Sequence, residues 1–518
     1  MKKKSNIVEY SEDGRTLVRV PRDFEGEFVI PEGVISLENG VFRGCEKLTH
    51  VVFPYSLTKI SRSSFVMSGL TEIEIPNYIE VIENGAFAYC KKSSKVILHN
   101  GIKEIGENAF LDCTIKEIVI PKSVVYIHPL AFEGCPIEHI VVEEGNPIYD
   151  SRDNCNAIIE TETNTLVYGC KNTKIPQSVS SIGSYAFYRC LTLENIFIPK
   201  SVTVISKDAF RRFGMLSFES IVVEEGNPAY DSRDNCNAII ETTSNRLIVG
   251  CSSTVVPTTV TTIGEAAFEF CQLIVKIDIP DNVIDIESRA FYGCRNMEYI
   301  RLPKGLKRLA GGIFAECYKL NNVSLPEGLE AIEGQAFTQN NSLTHIVIPS
   351  NVKSVSGFSR CPKLKHITIP ENVQKVGEMF AETKLKSISV DERNTKFDSR
   401  ENCNAIIETE TNTLIRGCAS TVIPKSVEHI ASQAFWFCVD LREISIPEGV
   451  KTIGKRAFVG CEKLRKVVLP VTLENIEEDE LWGGVFDSYV KQILIPRGHK
   501  ERFMKMGLKQ YEEVIIEQ

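Results

Sequence analysis

Residues 444–461 read ISIPEGVKTIGKRAFVGC, and residues 277–294 repeat the pattern as IDIPDNVIDIESRAFYGC. The alternating apolar residues before the proline are typical of a half-buried β-strand. Proline ends the strand because it has no N–H for a sheet ladder. A second apolar pair three residues apart, Val283 and Ile286, indicates another inward turn before the Ala-Phe pair and the cysteine. The stretch therefore describes one coil with one strand.

This unit recurs along almost the whole chain. Pro257, Pro280, Pro303, Pro326 and Pro349 each close a short apolar run, and neighbouring members of this series are 23 residues apart. A fixed period of this length is the signature of a solenoid, in which each repeat packs only on its neighbours. We therefore predict a β-rich solenoid with one parallel strand in each unit of about 23 residues.

An aromatic row and a thiol row follow the strand in most units. Fifteen of the 26 phenylalanines occupy one position of the repeat, and we interpret this row as a stacked core. Eleven of the 17 cysteines come three residues after such a phenylalanine. Coils stacked about 4.8 Å apart could bring these thiols within disulfide reach, whereas the absence of C-x-x-C spacing argues against metal. We interpret them as reduced thiols that fill a tight turn, with disulfides as the open alternative.

Three inserts with one shared sequence lengthen the spacing. They occupy about 143–175, 224–256 and 391–423, and residues 143–170 read EEGNPIYDSRDNCNAIIETETNTLVYGC. Two apolar runs flank a polar turn in each insert, which predicts a β-hairpin. The other six cysteines form pairs across these hairpins: 155 with 170, 236 with 251, and 403 with 418. An Asp/Asn-rich stretch suggests calcium, but Cys155 stands where an EF-hand loop needs glycine, so turn-forming side chains are the interpretation we adopt.

The repeated IP-x-x-V-x-x-I-G-x-x-A-F-x-x-C-x-x-L resembles the BspA-like leucine-rich repeats of host-associated bacteria and some anaerobic protozoa. The resemblance runs from about Pro31 to Pro496. It implies a right-handed leucine-rich repeat solenoid whose parallel strands form the concave side. It also implies a non-catalytic binding role, often at the cell surface.

The two ends differ from the repeat, as the caps of a solenoid must. We predict a β-hairpin cap over residues 1–30, because two apolar runs flank an Asp-Gly turn there. The repeat region then covers residues 31–495 with its hairpin inserts. Residues 496–518 form the C-terminal cap, with a short helix and a final strand.

Composition and the N-terminal sequence exclude several classes of protein. Asp and Glu number 68 against 59 Lys and Arg, giving a formal charge of −9, which argues against a nucleic-acid partner. No apolar run approaches the roughly 18 residues of a membrane span. The first residues lack the apolar core of a signal peptide, so we expect a cytoplasmic protein. The alternative is the cell surface or secretion by a route that the sequence does not show.

Motifs for catalysis are missing from the sequence. It contains no G-x-S-x-G, H-E-x-x-H or G-x-x-x-x-G-K-[ST] pattern. We therefore expect no enzyme, no catalytic or metal-binding residue and no cofactor. The function we predict is a binding scaffold that docks a protein partner on its concave side. The alternative is an adhesin that binds host glycan or matrix protein.

The candidate binding residues lie at the outward positions of the strands, and we call this surface the strand face. A basic row comprises Lys365, Lys386, Arg442, Arg465 and Lys491. An apolar row comprises Val119, Val141, Phe197 and Val222, and Tyr299 and Arg301 share one further strand. Exposed apolar rows rimmed by charge are candidate interfaces. The basic row predicts a partner with an acidic surface, and the oligomeric state stays open.

Overall fold

A computed structural model describes residues 7–190, 193–211, 220–377, 380–477 and 484–518. The chain forms two compact units, one of residues 1–244 with 248–254 and one of residues 245–247 with 255–518. Both units consist of coils whose strands repeat along the chain. The boundary between them falls inside the second insert.

In most coils the main strand lies parallel to the main strand of a neighbouring coil. In the first unit these long strands are Gly26–Val29, Leu48–Val52, Glu72–Ile75, Lys95–Leu98, Glu117–Ile120, His139–Val142, Asn195–Ile198 and Ser220–Val223. In the second unit they are Lys276–Asp278, Tyr299–Arg301, His366–Ile369, Ser387–Val390, Glu443–Ser445, Lys466–Val468 and Gln492–Ile495. Register is kept from coil to coil, as where Ile118 stands opposite Ile140. Buried and exposed residues alternate along such a strand, so its apolar side faces the core.

The second member of the apolar pair after the proline lies in a second, shorter strand. In the first unit these are Ser36–Leu37, Lys59–Ile60, Val81–Ile82, Glu104–Ile105, Tyr126–Ile127, Ser181–Ile182 and Val204–Ile205. In the second unit they are Thr262–Ile263, Asp285–Ile286, Arg308–Leu309, Ala331–Ile332, Ser354–Val355, Lys375–Val376, His429–Ile430, Thr452–Ile453 and Asn475–Ile476. They also pair in parallel, where the sequence indicated only an inward turn.

The phenylalanine row forms a stacked core in each unit. The rings of Phe65, Phe87 and Phe110 are parallel, with centroids 5.0 and 5.5 Å apart. The N–H of Phe87 donates to the carbonyl oxygen of Ala109 in the next coil at 2.8 Å, so the backbone fixes the spacing of the rings. The second unit repeats this stack from Phe268 onward. Burial of each such ring contributes roughly 1.5–3 kcal/mol.

The cysteine row closes the turn that follows each ring. The thiols of Cys90, Cys113 and Cys294 each donate to the carbonyl oxygen of the phenylalanine in the preceding coil at 3.1 Å. Asn340 stands at the same repeat position, and its amide makes the same bond to Phe314 at 2.8 Å. This repeat position therefore favours a small, buried side chain that can donate a hydrogen bond. A disulfide would remove the thiol proton that this bond uses.

The three inserts each contain three strands and a one-turn 3₁₀ helix. The strands are Tyr149–Asp150, Ala157–Glu160 and Thr165–Gly169; Tyr230–Asp231, Ala238–Glu241 and Arg246–Gly250; and Phe397–Asp398, Ala405–Glu408 and Thr413–Gly417. The 3₁₀ turns are Arg152–Asn154, Arg233–Asn235 and Arg400–Asn402. In the first insert the last two strands are antiparallel, and the last strand pairs in parallel with a short strand. The predicted hairpins are thus confirmed, and each joins the sheet of short strands.

The ends of the chain add a few elements of other kinds. Glu9–Tyr10 pairs antiparallel with Thr16–Arg19. At the other end, an α-helix at Lys500–Phe503 continues into a π-turn at Met504–Leu508 and a 3₁₀ segment at Lys509–Val514. The strand Ile515–Glu517 then lies parallel to the last long strand. The β-rich parallel solenoid is confirmed, whereas the division into caps and repeat region stays a prediction.

Within these described ranges, no helix has the length and apolar character that crossing a membrane requires.

Candidate functional site

The apolar row of the strand face lies in the first unit. Val119 and Val141 are 48% and 50% exposed, and Phe197 and Val222 are 49% and 42% exposed. The register places Val119 opposite Val141 and Phe197 opposite Val222. The structure thus brings these residues together in two pairs with their side chains in solvent.

The first insert separates these two pairs. The hydroxyl of Ser151 accepts a hydrogen bond from the Val142 N–H at 2.9 Å, so the insert packs directly against the strand that carries Val141. The N–H of Lys171, just after the hairpin, donates to Ile137 at 3.2 Å. Over the described ranges, no sheet joins His139–Val142 to the strand of Phe197. The apolar row is therefore discontinuous, which the sequence did not show.

The basic row lies entirely in the second unit, and backbone hydrogen bonds connect its members. The N–H of Lys386 donates to the carbonyl of Lys365 at 2.8 Å. The N–H of Arg465 donates to Arg442 at 2.8 Å, and that of Lys491 donates to Arg465 at 2.9 Å. The third insert lies between Lys386 and Arg442 in the chain. The structure thus joins the five residues as a pair and a triplet of adjacent coils.

Positive charges cluster around the first pair. Partial burial, together with the positive charges of Lys384 and Lys386, lowers the pKa of the Lys365 ammonium. Asp440 opposes this effect, but its carboxylate is also held by the Lys463 ammonium at 2.6 Å. Positive charge therefore exceeds negative charge around Lys365, even though the whole chain carries a net charge of −9.

The triplet is partly ordered by its own surroundings. The Arg465 guanidinium donates to the Glu462 carbonyl at 2.7 Å and lies 5.7 Å from the centroid of the Tyr489 ring. Glu443 follows Arg442 in the chain, and the register places it opposite Lys466 in the next coil.

Tyr299 and Arg301 share one long strand of the second unit. Tyr299 is 44% exposed. The Arg301 guanidinium lies 3.1 Å from the Asp281 carboxylate, so a local ion pair already uses part of its charge. Phe197 lies in the first unit and Tyr299 in the second.

The acidic residues of the inserts serve the fold. The Asp150 carboxylate accepts hydrogen bonds from the backbone N–H and the guanidinium of Arg152, and the Arg152 guanidinium also donates to the side-chain oxygen of Asn164 at 2.7 Å. Asp153 and Asn154 have φ angles of 58° and 50°, the left-handed region that short Asx side chains tolerate. In the part of the chain that the structure describes, no group of three or more His, Cys, Asp or Glu could hold a metal ion.

Burial makes one thiol in each insert a poor nucleophile. Desolvation raises the pKa of Cys155, Cys236 and Cys403 to about 11 in each case. A thiol with so high a pKa is protonated at neutral pH, and the thiolate is the form that reacts or binds metal. These cysteines are therefore packing residues.

None of the binding residues predicted from the sequence lies on the turn side of the coils. The structure places a cavity there, next to the third insert, and Trp436 lines it. Trp436 is one of only two tryptophans in the sequence, which was the one available signal.

Several solved structures are similar to this chain. A leucine-rich repeat protein from Eubacterium ventriosum is 20% identical, with a TM-score of 0.43 over 65% of this chain and 93% of its own. One from Bacteroides ovatus is 18% identical, with a TM-score of 0.30 over 99% and 97%. A leucine-rich cell surface protein from Faecalibacterium prausnitzii is 22% identical, with a TM-score of 0.36 over 68% and 87%. No curated protein matches the sequence significantly.

The repeat itself identifies the family. The family model of the BspA type leucine-rich repeat region, in 6 copies, matches residues 25–138, 159–237, 248–357, 356–408 and 413–500. This is a scaffold fold for protein interaction, and its coils are the ones described above. The chain belongs to the BspA-type leucine-rich repeat family.

Proposed function

We propose that this protein is a non-catalytic scaffold that docks an acidic segment of a protein partner along the basic row of its second unit. The observation that supports this proposal is the stacking of like charges on adjacent coils, with Lys386 bonded to Lys365 and Arg465 to both Arg442 and Lys491 through the backbone. Like charges directly opposite each other in a sheet are destabilising. A partner with acidic side chains would offset that cost.

The surface beside the first pair suits a polypeptide. The side chains of His366 and Ser387 are 2.7 Å apart, and those of Thr368 and Ser389 are 2.9 Å apart. These four polar groups lie on the same two strands that follow Lys365 and Lys386. They offer donors and acceptors to a peptide backbone, while the ammonium groups attract its carboxylates.

The test is a charge reversal on the intact chain. The triple variant Lys386→Glu, Arg442→Glu and Arg465→Glu changes exposed side chains only, so the fold should persist by circular dichroism. Partners are captured from extracts of the producing cells and eluted with salt. At ~0.5–1 kcal/mol for each exposed contact, the variant should bind about 10- to 100-fold more weakly and lose most of its salt dependence.

A charge-matched control separates the site from the net charge. Lys304, Lys375 and Lys455 are exposed residues of the same unit that lie outside the long strands, and their reversal to Glu changes the net charge equally. This control should keep the captured partners. If the basic-row triple keeps the same partners and salt sensitivity, or if the control loses them equally, the basic row is not the site.

The cellular location stays a prediction. Antibody staining of intact and permeabilised cells would distinguish the cytoplasm from the cell surface.

A further inference from the structure

A cavity of about 300 Å³ opens on the turn side of the second unit, away from the strand residues of the basic row. Its wall includes Phe380, Glu382, Arg416, Gln433, Trp436 and Phe437. These residues come from the turns after the phenylalanine row and from the last strand of the third insert. The cavity therefore lies where the insert interrupts the regular stacking of turns.

The first insert shows what fills this position elsewhere. Tyr168 occupies the place in the first insert that Arg416 occupies in the third. The Tyr168 ring is buried and packs edge-on against Phe132 at 5.6 Å, and its hydroxyl donates to the Phe132 carbonyl at 3.0 Å. Arg416 is only half-buried, and its guanidinium donates to the carbonyls of Ile415 and Ser432 at 2.8 and 3.3 Å. An arginine thus replaces the ring that completes the stack.

The turns around the cavity are also displaced from the regular pattern. In a regular coil, the backbone N–H of the second residue after the phenylalanine donates to a carbonyl oxygen in the next coil. That carbonyl belongs to the residue directly after the next coil's phenylalanine. The N–H of Arg360 makes this bond to Ala381 at 2.7 Å. The N–H of Glu382 donates instead to the carbonyl oxygen of Phe437 at 3.0 Å, one residue later than the regular pattern requires. This shift brings both Trp436 and Phe437 to the cavity wall. Their rings lie 5.9 Å apart with a tilt of 33°.

The cavity wall combines aromatic faces with planar polar groups. The Glu382 carboxylate is fixed by the Arg360 guanidinium at 2.9 Å, so it is a preorganised acceptor. Gln433 adds an amide with both donors and acceptors. The indole N–H of Trp436 is buried and has no hydrogen-bond partner among the described residues. A buried donor without an acceptor is unfavourable, and a ligand oxygen would satisfy it after a small rotation of the ring.

We propose that this cavity binds a single pyranose ring of a saccharide. A pyranose has apolar C–H faces that pack on aromatic rings and a rim of hydroxyls that pair with carboxylate, amide and guanidinium groups. About 300 Å³ is at the lower end of the range for small-molecule sites, which suits one sugar ring. A wholly apolar ligand would bury Glu382 and Gln433 against hydrocarbon, which is unfavourable. Saccharide binding in this cavity is separate from the docking of a protein on the strand face.

The experiment uses the full chain and four named probes: the methyl pyranosides of glucose, galactose and mannose, and N-acetylglucosamine. Binding is followed by saturation-transfer NMR and by titration calorimetry. At least one probe should bind at millimolar concentration. Arg416→Tyr should abolish binding by placing a ring where Tyr168 lies in the first insert. Trp436→Ala should weaken it at least about tenfold, because the aromatic platform is lost.

Two further variants make the result decisive. Arg497→Tyr, the same substitution at an exposed residue outside the cavity wall, should bind the probe as the natural chain does. Gln433→Ala replaces Arg416→Tyr as the deciding variant if the latter fails to fold by circular dichroism. The proposal is overturned if none of the four probes binds, or if a bound probe is insensitive to the cavity variants.

Discussion

The first and third inserts share most of their sequence but complete their coils differently. Residues 157–170 read AIIETETNTLVYGC and residues 405–418 read AIIETETNTLIRGC. In the first insert the tyrosine ring joins the aromatic stack, whereas in the third the arginine lies beside a cavity. The exchange of Tyr168 for Arg416 is one of two differences within these fourteen residues, and it lies at the junction that is filled in the first insert and open in the third.

The residues that do not differ explain why both inserts still fold. The Asn146 amide donates to the carbonyls of Pro121 and Val124 at 3.0 and 2.9 Å. In the third insert Asn394 makes the equivalent bonds, at 2.8 and 3.1 Å, to residues of its own preceding coil. Residues that both inserts share thus make the hydrogen bonds that hold each insert to its preceding coil. Where an insert departs from the shared sequence, the packing between coils can be incomplete. We therefore expect binding sites at such departures.

The largest effect should come from the glycine that ends each hairpin. A Cβ added at Gly169 or Gly417 would lie 2.2 Å from the Phe187 or Phe435 ring. We expect Gly169→Ala to lower the free energy of unfolding by about 3 kcal/mol. Gly417→Ala should cost less, because Gly417 itself lines the cavity beside the third insert, so neighbouring groups there have room to shift. Guanidinium titrations followed by circular dichroism measure both values.

A control for backbone effects is Gly305→Ala, since nothing lies within 4 Å of the added Cβ there. Its unfolding midpoint should stay close to that of the natural chain. Equal losses at Gly169 and Gly417 would show that the two junctions are equally tight, which contradicts the comparison.

The strands and core followed from the sequence because they depend on local order. Proline after an alternating run ends a strand in any coil. The repeat period alone predicts that Phe87 and Phe291 lie in the stacked core. The junctions could not be predicted, because they depend on which sheet the hairpin joins and on contacts between coils distant in sequence. Tyr168 reaches Phe132 across the whole first insert. For the same reason, the division of the basic row into a pair and a triplet required the structure.

The second largest effect should come from exchanging the two variable residues. Tyr168→Arg removes a buried ring and its hydrogen bond, so we expect a loss of about 2 kcal/mol. Arg416→Tyr fills a cavity and should raise stability by about 1 kcal/mol. Thermal unfolding of the single and double variants measures both effects. A destabilised Arg416→Tyr protein would show that the arginine, rather than the missing ring, completes the third junction.

A smaller effect concerns one hydroxyl. The Tyr149 hydroxyl accepts a hydrogen bond from the Ile127 N–H at 3.2 Å, and Phe397 stands at the same position of the third insert. Tyr149→Phe should cost about 1 kcal/mol, and Phe397→Tyr should restore a bond of that size. Urea titrations of the two variants suffice. If Phe397→Tyr is destabilising instead, the third insert lacks room for the hydroxyl and is packed differently there as well.

The smallest effect is one on which the two inserts should agree. Burial acts to raise the pKa of Asp150 and Asp398, but hydrogen bonds from Arg152 and Arg400 outweigh it, so both pKa values lie below the ordinary one. A carboxylate with a depressed pKa stabilises the folded state above its unfolded pKa, about 3.9, and the contribution is lost as the pH falls through the folded pKa. Both carboxylates are partly exposed, so the loss per site should be modest. Asp150→Asn and Asp398→Asn should each flatten the fall in stability between about pH 4 and pH 2 by the same amount, as measured by thermal unfolding across that range. Unequal slopes would mean that the cavity weakens the Asp398–Arg400 pair, and the difference between the two inserts would then extend beyond the variable residue into the shared framework.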